Sequence, residues 1–510
     1  MNKLSFFKWI LSISLCLTLY SCSNTVKNTL PVPEIKDGIA KLSGTITNFH
    51  LVGREDNPTL ILRVPHPVTA EAYVARTTVD EDGAFSVEVP MQCNYAVGYF
   101  RPEKMYNGFY VCLTAGKEAK MDIMCEKTGL FRITNQTDSL GLTAIDLINM
   151  EMVSDELMNY RPPKKTTAST KMPDEFAQRR KIILNYQLKI LAESDSLLGA
   201  PSLSEIAKDF VVNNTKVLTL DWYYFDYRRS VRDENFNPPI PDKQYYTFLK
   251  DFDLNNPQYL YRGYFNVLQR ILSDETLNIP LIGDRPVEQW MKEVRKILSK
   301  LVGFNKGLFY DMLAANSYAR QFNNELRPLS DKQQENIKNY FKDDKEDFAK
   351  ILLRKNEEII LLAAQKDPLM VNETPAVPKE ELPEAIISKY RGKVVVLDFW
   401  ATWCAPCLLA MEEYRKVKGK LQGRELVFVY ITNVTSPQKL WEEKIKGIGG
   451  EHYYIDKEED WVFLMDTFRF EGIPSYVIFD TEGKVCHKFT GYPGNEQMQT
   501  MIENLLPFSD

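Results

Sequence analysis

Apolar and polar positions alternate with a period of two over residues 38–127, as in "AFSVEV" and "AKMDIMC". This period is typical of strands that bury one face and expose the other. The stretch "DEDG", which ends at Gly83, interrupts the pattern with a turn, because glycine takes the positive φ that closes a hairpin. About six or seven short strands at this spacing predict an N-terminal β-sandwich domain.

The period of the apolar positions becomes helical over residues 135–365, as in "VEQWMKEVRKILSKLVG", which predicts an α-helical middle domain. Its aromatic stretch "DWYYFDYRR", residues 221–229, could form a ligand face. Aromatic side chains at helical spacing more often fill a core, and we assign the stretch to the core. Residues 366–383 are rich in proline and show little periodicity, which predicts a semi-rigid linker.

Residues 384–510 combine all-apolar strand patterns with helical ones. The strands "KVVVLDFW" and "ELVFVYITN" are apolar on both faces and are separated by a helical pattern, which is typical of a parallel α/β core. The stretch "SYVIFDTEGKVCHKF" predicts an antiparallel hairpin. The expected architecture is therefore multidomain, with an N-terminal β-sandwich, an α-helical middle and a C-terminal α/β domain.

Length and charge narrow the function classes. A chain of 510 residues is long enough for several domains. Its 63 basic and 69 acidic residues give a formal net charge of -6, and no run of like charges interrupts their distribution. We therefore expect no nucleic-acid partner.

The first 21 residues are predicted to be a lipoprotein signal peptide. Two lysines precede the apolar stretch 9–20, which is too short to span a bilayer. The stretch "LYSC" resembles the lipobox of bacterial lipoproteins, and the resemblance implies a lipid anchor on Cys22. An ordinary cleaved signal peptide is the alternative, because Tyr20 is not the small or β-branched residue usual there. We expect the chain on the periplasmic face of a bacterial membrane, and Ser23 favours the outer membrane by the same resemblance.

Export would place the remaining cysteines in an oxidising compartment. Cys93, Cys112 and Cys125 lie in the predicted β-domain, where three cysteines can form at most one disulfide among themselves. We expect buried thiols there. Cys486 lies in the middle of the predicted hairpin and is expected to be a packed thiol.

The motif "WCAPC" follows a buried strand and precedes a helical pattern. A cysteine at a helix N-terminus faces unsatisfied backbone N–H groups and the positive end of the helix dipole, which stabilise its thiolate. We assign Cys404 as the nucleophile of a dithiol–disulfide exchange and Cys407, one turn later, as the resolving thiol. Asp398, in an otherwise apolar strand, is expected to have a raised pKa and to accept the Cys407 proton. The alternative is an aspartate that is hydrogen-bonded at a strand end.

"VVVLDFWATWCAPC" together with "GIPSYVIFD" resembles the TlpA/ResA-like branch of the thioredoxin superfamily, and the β-segment is similar to the N-terminal domain of Bacteroidetes-type thioredoxin-like lipoproteins. The resemblance implies a C-terminal thioredoxin fold and no cofactor besides a redox-active Cys404–Cys407 disulfide. It also implies a cis peptide bond before Pro474, beside which the Ile473 backbone pairs with an extended substrate. The remaining implied substrate-binding residues are Trp403, Ala405 and Pro406.

Two positions depart from the family pattern. Relatives commonly have Glu and Pro where this chain has Ala410 and Glu412, so Asp398 would act as the acid-base group alone and the helix would lack a proline kink. Neither Ala405 nor Pro406 offers a side-chain donor to the Cys404 sulfur, which favours a reducing or intermediate potential.

Two other chemistries compete with disulfide exchange. A zinc site would need two more ligands, and His452, His487 and Cys486 do not have paired metal-ligand spacing. A peroxidase of the peroxiredoxin kind would have a different pattern, with a threonine three residues before the cysteine, whereas Thr402 lies two before Cys404.

We expect a membrane-anchored periplasmic oxidoreductase that reduces protein disulfides. Its partners would be protein thiols and disulfides, such as the haem-attachment cysteines of apo-cytochrome c or misoxidised envelope proteins. The resemblance implies a membrane dithiol reductant as the electron donor. In the second interpretation the chain is a binding or scaffold lipoprotein, whose β and helical domains capture a partner and whose redox pair is secondary.

Overall fold

The computed structural model of the chain describes residues 29–507, apart from 49–58, 104–107, 127–130, 138, 160–170, 194–202, 233–235, 365–367 and 422. The predicted signal peptide, residues 1–21, and the predicted lipid-carrying Cys22 lie outside the described residues. Among the helices in the described ranges, none is long and apolar enough to cross a membrane.

The N-terminal region forms two four-stranded sheets from the residues described there. Strands β1 to β8 span Ile35–Thr47, Thr59–His66, Glu71–Thr78, Ala84–Cys93, Tyr95–Pro102, Phe109–Thr114, Glu118–Cys125 and Phe131–Gln136. The strand orders are β4-β1-β7-β8 and β3-β2-β5-β6, and both sheets contribute side chains, such as Leu42 and Leu62, to one hydrophobic cluster. Six or seven strands were predicted within residues 38–127. The described residues form eight, and the last of them, β8, lies beyond that range. β8 has polar side chains on its open face, and Ile133 is its one buried residue, so it shows no clear alternation.

The middle region is helical, as predicted. Helices α1 to α9 span Ala144–Asn159, Pro173–Glu193, Glu205–Thr219, Tyr227–Val231, Tyr264–Ser273, Val287–Val302, Leu308–Glu325, Asp331–Tyr340 and Glu346–Ala363. A π-helical turn, Leu220–Tyr224, and the 3-10 turns Tyr245–Asp251, Pro257–Tyr261 and Asp343–Lys345 connect them. Tyr224 and Tyr227 of the aromatic stretch are buried in the cluster that also holds Trp290, which confirms the core assignment for these two side chains.

The C-terminal region is a six-stranded sheet with helices on both faces, counted over its described residues. Its strands β9 to β14 span Leu369–Asn372, Val394–Phe399, Leu426–Asn433, Gly450–Ile455, Ser475–Phe479 and Val485–Thr490. Its helices α10 to α14 span Leu382–Ser388, Ala405–Lys420, Gln438–Ile448, Glu458–Phe468 and Asn495–Glu503. In the order β14-β13-β10-β11-β12-β9, β10 pairs parallel with β11 and antiparallel with β13. The predicted antiparallel hairpin, β13 with β14, is confirmed.

Two strands of this sheet, β9 and β12, were not predicted from the sequence. β9 lies inside residues 366–383, so this segment is not only a linker, and it pairs parallel with β12 at the edge of the sheet. The side chains of its first three residues are exposed, and a strand without a buried face has no periodicity to detect. β12 begins directly after the turn at Gly449, with Gly450 at a positive φ, and its short pattern is only partly buried.

The C-terminal region packs on both other regions. The carboxylate of Glu443 on α12 accepts two hydrogen bonds from Arg320 on α7, at 2.8 Å from Nε and 2.6 Å from Nη2, and both side chains are buried. Gly447 permits this contact, because a Cβ at that position would lie 2.6 Å from the carbonyl oxygen of Asn324. On the other side, Glu413 of α11 pairs with Arg76 of β3. The helix that carries the dithiol is therefore held between the β region and the sheet.

Candidate active site

Strand β10 and helix α11 position the two cysteines of "WCAPC". Cys404 is the N-cap residue of α11, and it forms a disulfide with Cys407 in the first turn. The Cys404 Sγ accepts a hydrogen bond from the Cys407 backbone N–H at 3.2 Å. This sulfur therefore lies at the positive end of the helix, as predicted, where a thiolate is stabilised. Cys404 is 3% exposed and Cys407 is fully buried, so the outer sulfur is the one that a substrate reaches.

Asp398 lies on the face of β10 that packs against α11. Alternation along the strand puts Asp398 on the same side as Val396 and Trp400, which share a hydrophobic cluster with both cysteines. Asp398 is fully buried, and burial raises its pKa from 3.8 to about 7, against the smaller lowering effects of the Tyr414 hydrogen bond and the Lys418 charge. The predicted rise in pKa is confirmed. A carboxyl group that titrates near neutral pH can both accept and release a proton.

Tyr414 and Lys418 complete the surroundings of this carboxyl group. The Tyr414 hydroxyl donates to Asp398 Oδ2 at 2.7 Å, whereas Oδ1 is buried and has no hydrogen-bond partner in the described part of the chain. Lys418 Nζ lies 3.3 Å from the hydroxyl of Tyr430, on the strand next to β10. Neither Tyr414 nor Lys418 was predicted from the sequence. The signal was present, since Cys407, Tyr414 and Lys418 are spaced by seven and eleven residues and so share one face of α11.

The loop before β13 carries the predicted cis-proline. The Ile473–Pro474 peptide bond is cis, which confirms the prediction. Pro474 is buried and Ile473 is half-buried, between the two clusters that cover the sheet faces. Within the described residues the Ile473 backbone forms no hydrogen bond, so its N–H and C=O groups can pair with an added strand.

Trp403, Ala405 and Pro406 surround the disulfide at the surface, where they were predicted to contact substrate. Ala405 and Pro406 are exposed, and Trp403 is 36% exposed, with its Nε1 donating to Thr435 Oγ1 at 3.0 Å. Trp400, by contrast, is fully buried. The substrate contacts themselves stay predictions.

The helix has no proline kink at the two positions that depart from the family pattern, as predicted. Ala410 is buried on the inner face of α11 and Glu412 is exposed on the outer face. Helix α11 runs without interruption from Ala405 to Lys420. Asp398 is therefore the carboxyl group that the fold places on the buried side of this helix.

The other cysteine and histidine predictions have mixed outcomes. Cys486 is exposed, so the packed-thiol prediction is wrong, because β14 is an edge strand whose side chains face solvent. Cys93, Cys112 and Cys125 are buried thiols, as expected. His452 is buried, and burial lowers its pKa to about 3. Across the described ranges no group of three His, Cys, Asp or Glu side chains is placed to hold a metal ion.

The helical middle region reaches the rim of this site. The Arg229 guanidinium lies 4.5 Å from the centre of the Trp403 ring. Arg229 belongs to the stretch 221–229 that was assigned to the core, so the assignment is wrong for this residue. Its side chain is 48% exposed, and its guanidinium faces the C-terminal region at Trp403.

Comparisons with known proteins place this region in a family. Residues 383–506 match the model of a thioredoxin-like domain. The thiol-disulfide oxidoreductase ResA of Geobacillus kaustophilus is 29% identical over 123 residues, which cover 24% of this chain and 68% of that protein. ResA of Geobacillus thermodenitrificans is 30% identical over 124 residues, with the same two shares of 24% and 68%. Among solved structures, the thioredoxin domain of a thiol-disulfide oxidoreductase from Bacteroides vulgatus has 17% identity over 22% of this chain and 83% of that chain, with a TM-score of 0.20. The family resemblance stated from the sequence is confirmed for the region that carries the dithiol.

Proposed function

This chain belongs to the thioredoxin superfamily, among the thiol-disulfide oxidoreductases, and from that premise we propose that it reduces protein disulfides through Cys404 and Cys407 at the periplasmic face of a bacterial membrane. One observation carries the proposal. The two sulfurs lie at the N-terminus of α11, on the sheet face where Asp398 is buried.

The exchange proceeds in two displacements. The Cys404 thiolate attacks one sulfur of the substrate disulfide, which forms a mixed disulfide and releases the other substrate sulfur as a thiolate. Cys407 then loses its proton, and its thiolate attacks the Cys404 sulfur. The second substrate sulfur leaves, so the substrate gains two electrons and the enzyme keeps a Cys404–Cys407 disulfide. A second dithiol must return the enzyme to its reduced form.

Asp398 is the group that takes the Cys407 proton in this proposal. Burial keeps its carboxyl group close to half-ionised near pH 7, so it serves as a base for the buried thiol and as an acid in the reverse reaction. Tyr414 is a positioning residue, because its hydroxyl fixes Oδ2 and leaves Oδ1 for the proton. No dissolved cofactor takes part in either displacement.

The proposed substrate contacts combine the rim and the cis-proline loop. An extended substrate segment pairs with the backbone of Ile473, while Trp403, Ala405 and Pro406 bound the position of the attacked sulfur. Because neither residue between the cysteines offers a side-chain donor, we assign the pair a reducing rather than a strongly oxidising role.

The proposed location follows from the sequence of the N-terminus. A lipid on Cys22 would tether the chain to the membrane, outer membrane favoured, and a membrane dithiol would supply electrons. Haem-attachment cysteines of apo-cytochrome c and misoxidised envelope proteins are the proposed substrates. The scaffold interpretation differs in one outcome, since a scaffold would retain partners without forming covalent intermediates.

A trapping experiment tests the proposal. Cys407→Ser leaves Cys404 to form mixed disulfides that cannot resolve, and Cys404→Ser is the matched control that keeps a single thiol in the same turn. We expect envelope proteins bound through reducible disulfides in the first variant and not in the second, and the reduced wild-type chain should reduce insulin. Partners that co-purify equally with both variants, without a reducible bond, would favour the scaffold interpretation.

A further inference from the structure

A cleft lies between the helical middle region and the rim of the dithiol. Thr402, Trp403 and Thr435 line it from the C-terminal region. Arg229, Ile240 and Glu275 are among the residues that line it from the middle region. It encloses about 220 Å³, which is below the roughly 300 Å³ at which sites for whole small-molecule ligands begin. A cleft of this size fits the side chains of an extended segment that continues past it.

The wall formed by the middle region is held in place. Tyr227 is buried, and the Tyr224 carbonyl oxygen accepts a hydrogen bond from the Tyr245 hydroxyl at 2.7 Å. Arg270, which also lines the cleft, donates from Nε to Asp221 Oδ1 at 2.9 Å. The wall is therefore preorganised, and a ligand would not have to order it.

Arg229 is a cation of the cleft that contacts the rim of the dithiol, at Trp403. Its guanidinium stacks on Trp403, which directly precedes Cys404 in the chain. Its Nε pairs with Asp226 Oδ2 at 2.7 Å, which orients the group. No described residue takes a hydrogen bond from its two terminal nitrogens, and the side chain is 48% exposed. A planar fork of this kind fits a carboxylate.

Cations outnumber carboxylates around the cleft, which is lined by Asp226, Asp274 and Glu275 against Arg228, Arg229, Arg232 and Arg270. Asp226 is 11% exposed at its side chain and faces Arg229 itself. Asp274 accepts hydrogen bonds from the Tyr246 hydroxyl at 2.6 Å and from the backbone N–H groups of Thr276 and Leu277 at 3.0 and 2.9 Å. Both of its carboxylate oxygens are therefore satisfied by donors within the wall.

The remaining surface of the cleft suits an extended chain. Ile240 is 59% exposed at the cleft, and Pro238 and Leu440 also line it, so apolar surface adjoins the guanidinium. The cleft is continuous with Trp403, beside which the substrate disulfide is expected. A segment attacked by Cys404 would enter it within a few residues of its cysteine.

We propose that this cleft binds the segment next to the reactive cysteine of a protein substrate, and that Arg229 selects segments with a carboxylate there. The inference rests on the proposed function for its substrate, since it names the sequence class that the reductase prefers. Arg229 is then a specificity-determining residue supplied by the middle region, and the middle region forms part of the substrate site.

Binding of peptides that cannot exchange tests this inference separately from the chemistry. We would use the full chain and two labelled ten-residue peptides in which serine replaces the cysteine, one with glutamate and one with glutamine at the flanking positions, and measure anisotropy. We expect the glutamate peptide to bind about two- to fivefold more tightly, the range for a partly exposed ion pair. Arg229→Gln should bring the ratio to one, and Arg229→Lys should keep part of it, because the charge is retained without the fork.

Arg132→Gln is the matched control, because Arg132 is 65% exposed on β8 and its Nη2 pairs with Glu126. This variant should keep the wild-type ratio. An unchanged ratio in Arg229→Gln, or a lack of binding by both peptides, would overturn the inference. Displacement of the peptide by glutathione at a lower concentration than that of the unlabelled peptide would also overturn it, since the cleft would then take a small acidic thiol. Insulin reduction by the wild-type chain reports the proposed function independently of these results.

Discussion

Replacing Asp398 by asparagine should make the protein more stable at neutral pH and less active. In the folded chain burial raises the pKa of Asp398 from 3.8 to about 7, whereas in the unfolded chain the carboxyl group ionises at its ordinary pKa. Between these two values the folded state binds more protons than the unfolded state, so stability falls as pH rises. The full loss is about 4 kcal/mol at about 1.4 kcal/mol per pH unit, and about 3 kcal/mol of it falls between pH 5 and pH 8. Asparagine has no charge to bury, so the variant lacks this loss.

Hydrogen exchange in strand β10, Val394–Phe399, measures this difference in the full chain. We expect the exchange protection of Asp398→Asn relative to wild type to increase by up to about a hundredfold from pH 5 to pH 8, in line with about 3 kcal/mol. Asp456→Asn, at an exposed position, is the control and should show no such trend. Over the same pH range, resolution of the mixed disulfide should be slower in Asp398→Asn. A protection ratio that does not change with pH would refute the assignment of a buried, proton-exchanging carboxyl group.

Three further substitutions test other contacts. Tyr414→Phe removes the hydrogen bond that lowers the pKa of Asp398. The pH at which the rate of mixed-disulfide resolution rises should therefore increase by about one pH unit or more. An unchanged pH profile would contradict the positioning role of Tyr414. Thr402→Val removes a buried hydroxyl that has no hydrogen-bond partner in the described residues. The free energy of unfolding in urea should therefore stay the same or rise by up to about 1–3 kcal/mol. A clear loss of stability would show that the hydroxyl is hydrogen-bonded. Glu443→Gln leaves the buried Arg320 charge without its partner. The interface between α7 and α12 should lose about 3–5 kcal/mol of stability and become sensitive to proteolysis. A loss below about 1 kcal/mol would mean that water replaces the lost partner.

The active-site residues were predictable because each carries a local signal. Cys404 and Cys407 lie at a strand-to-helix boundary that hydrophobic periodicity reveals, and the charge of Asp398 stands out within an apolar strand. Pro474 follows from the family motif. Each of these signals is contained in a few neighbouring residues, so it can be recognised without knowledge of the tertiary structure.

The features that were not predicted depend on tertiary packing. β9 has no buried face, and its strand conformation comes from pairing with β12. Cys486 was expected to be packed because it lies in the middle of the predicted hairpin, yet β14 is the edge strand of the sheet. The contact of Arg229 with Trp403 joins positions far apart in the chain, and no spacing within the sequence encodes it. Interfaces between domains require the relative placement of their surfaces, which local periodicity does not contain.

The order in which the two thiols react is the most direct test of the account. The reduced full chain is treated with iodoacetamide at pH 7, and alkylation of each cysteine is followed by mass spectrometry. We expect Cys404 to react much faster than Cys407, because its sulfur lies at the start of α11 and is the more accessible of the two. Equal rates, or faster alkylation of Cys407, would contradict the account.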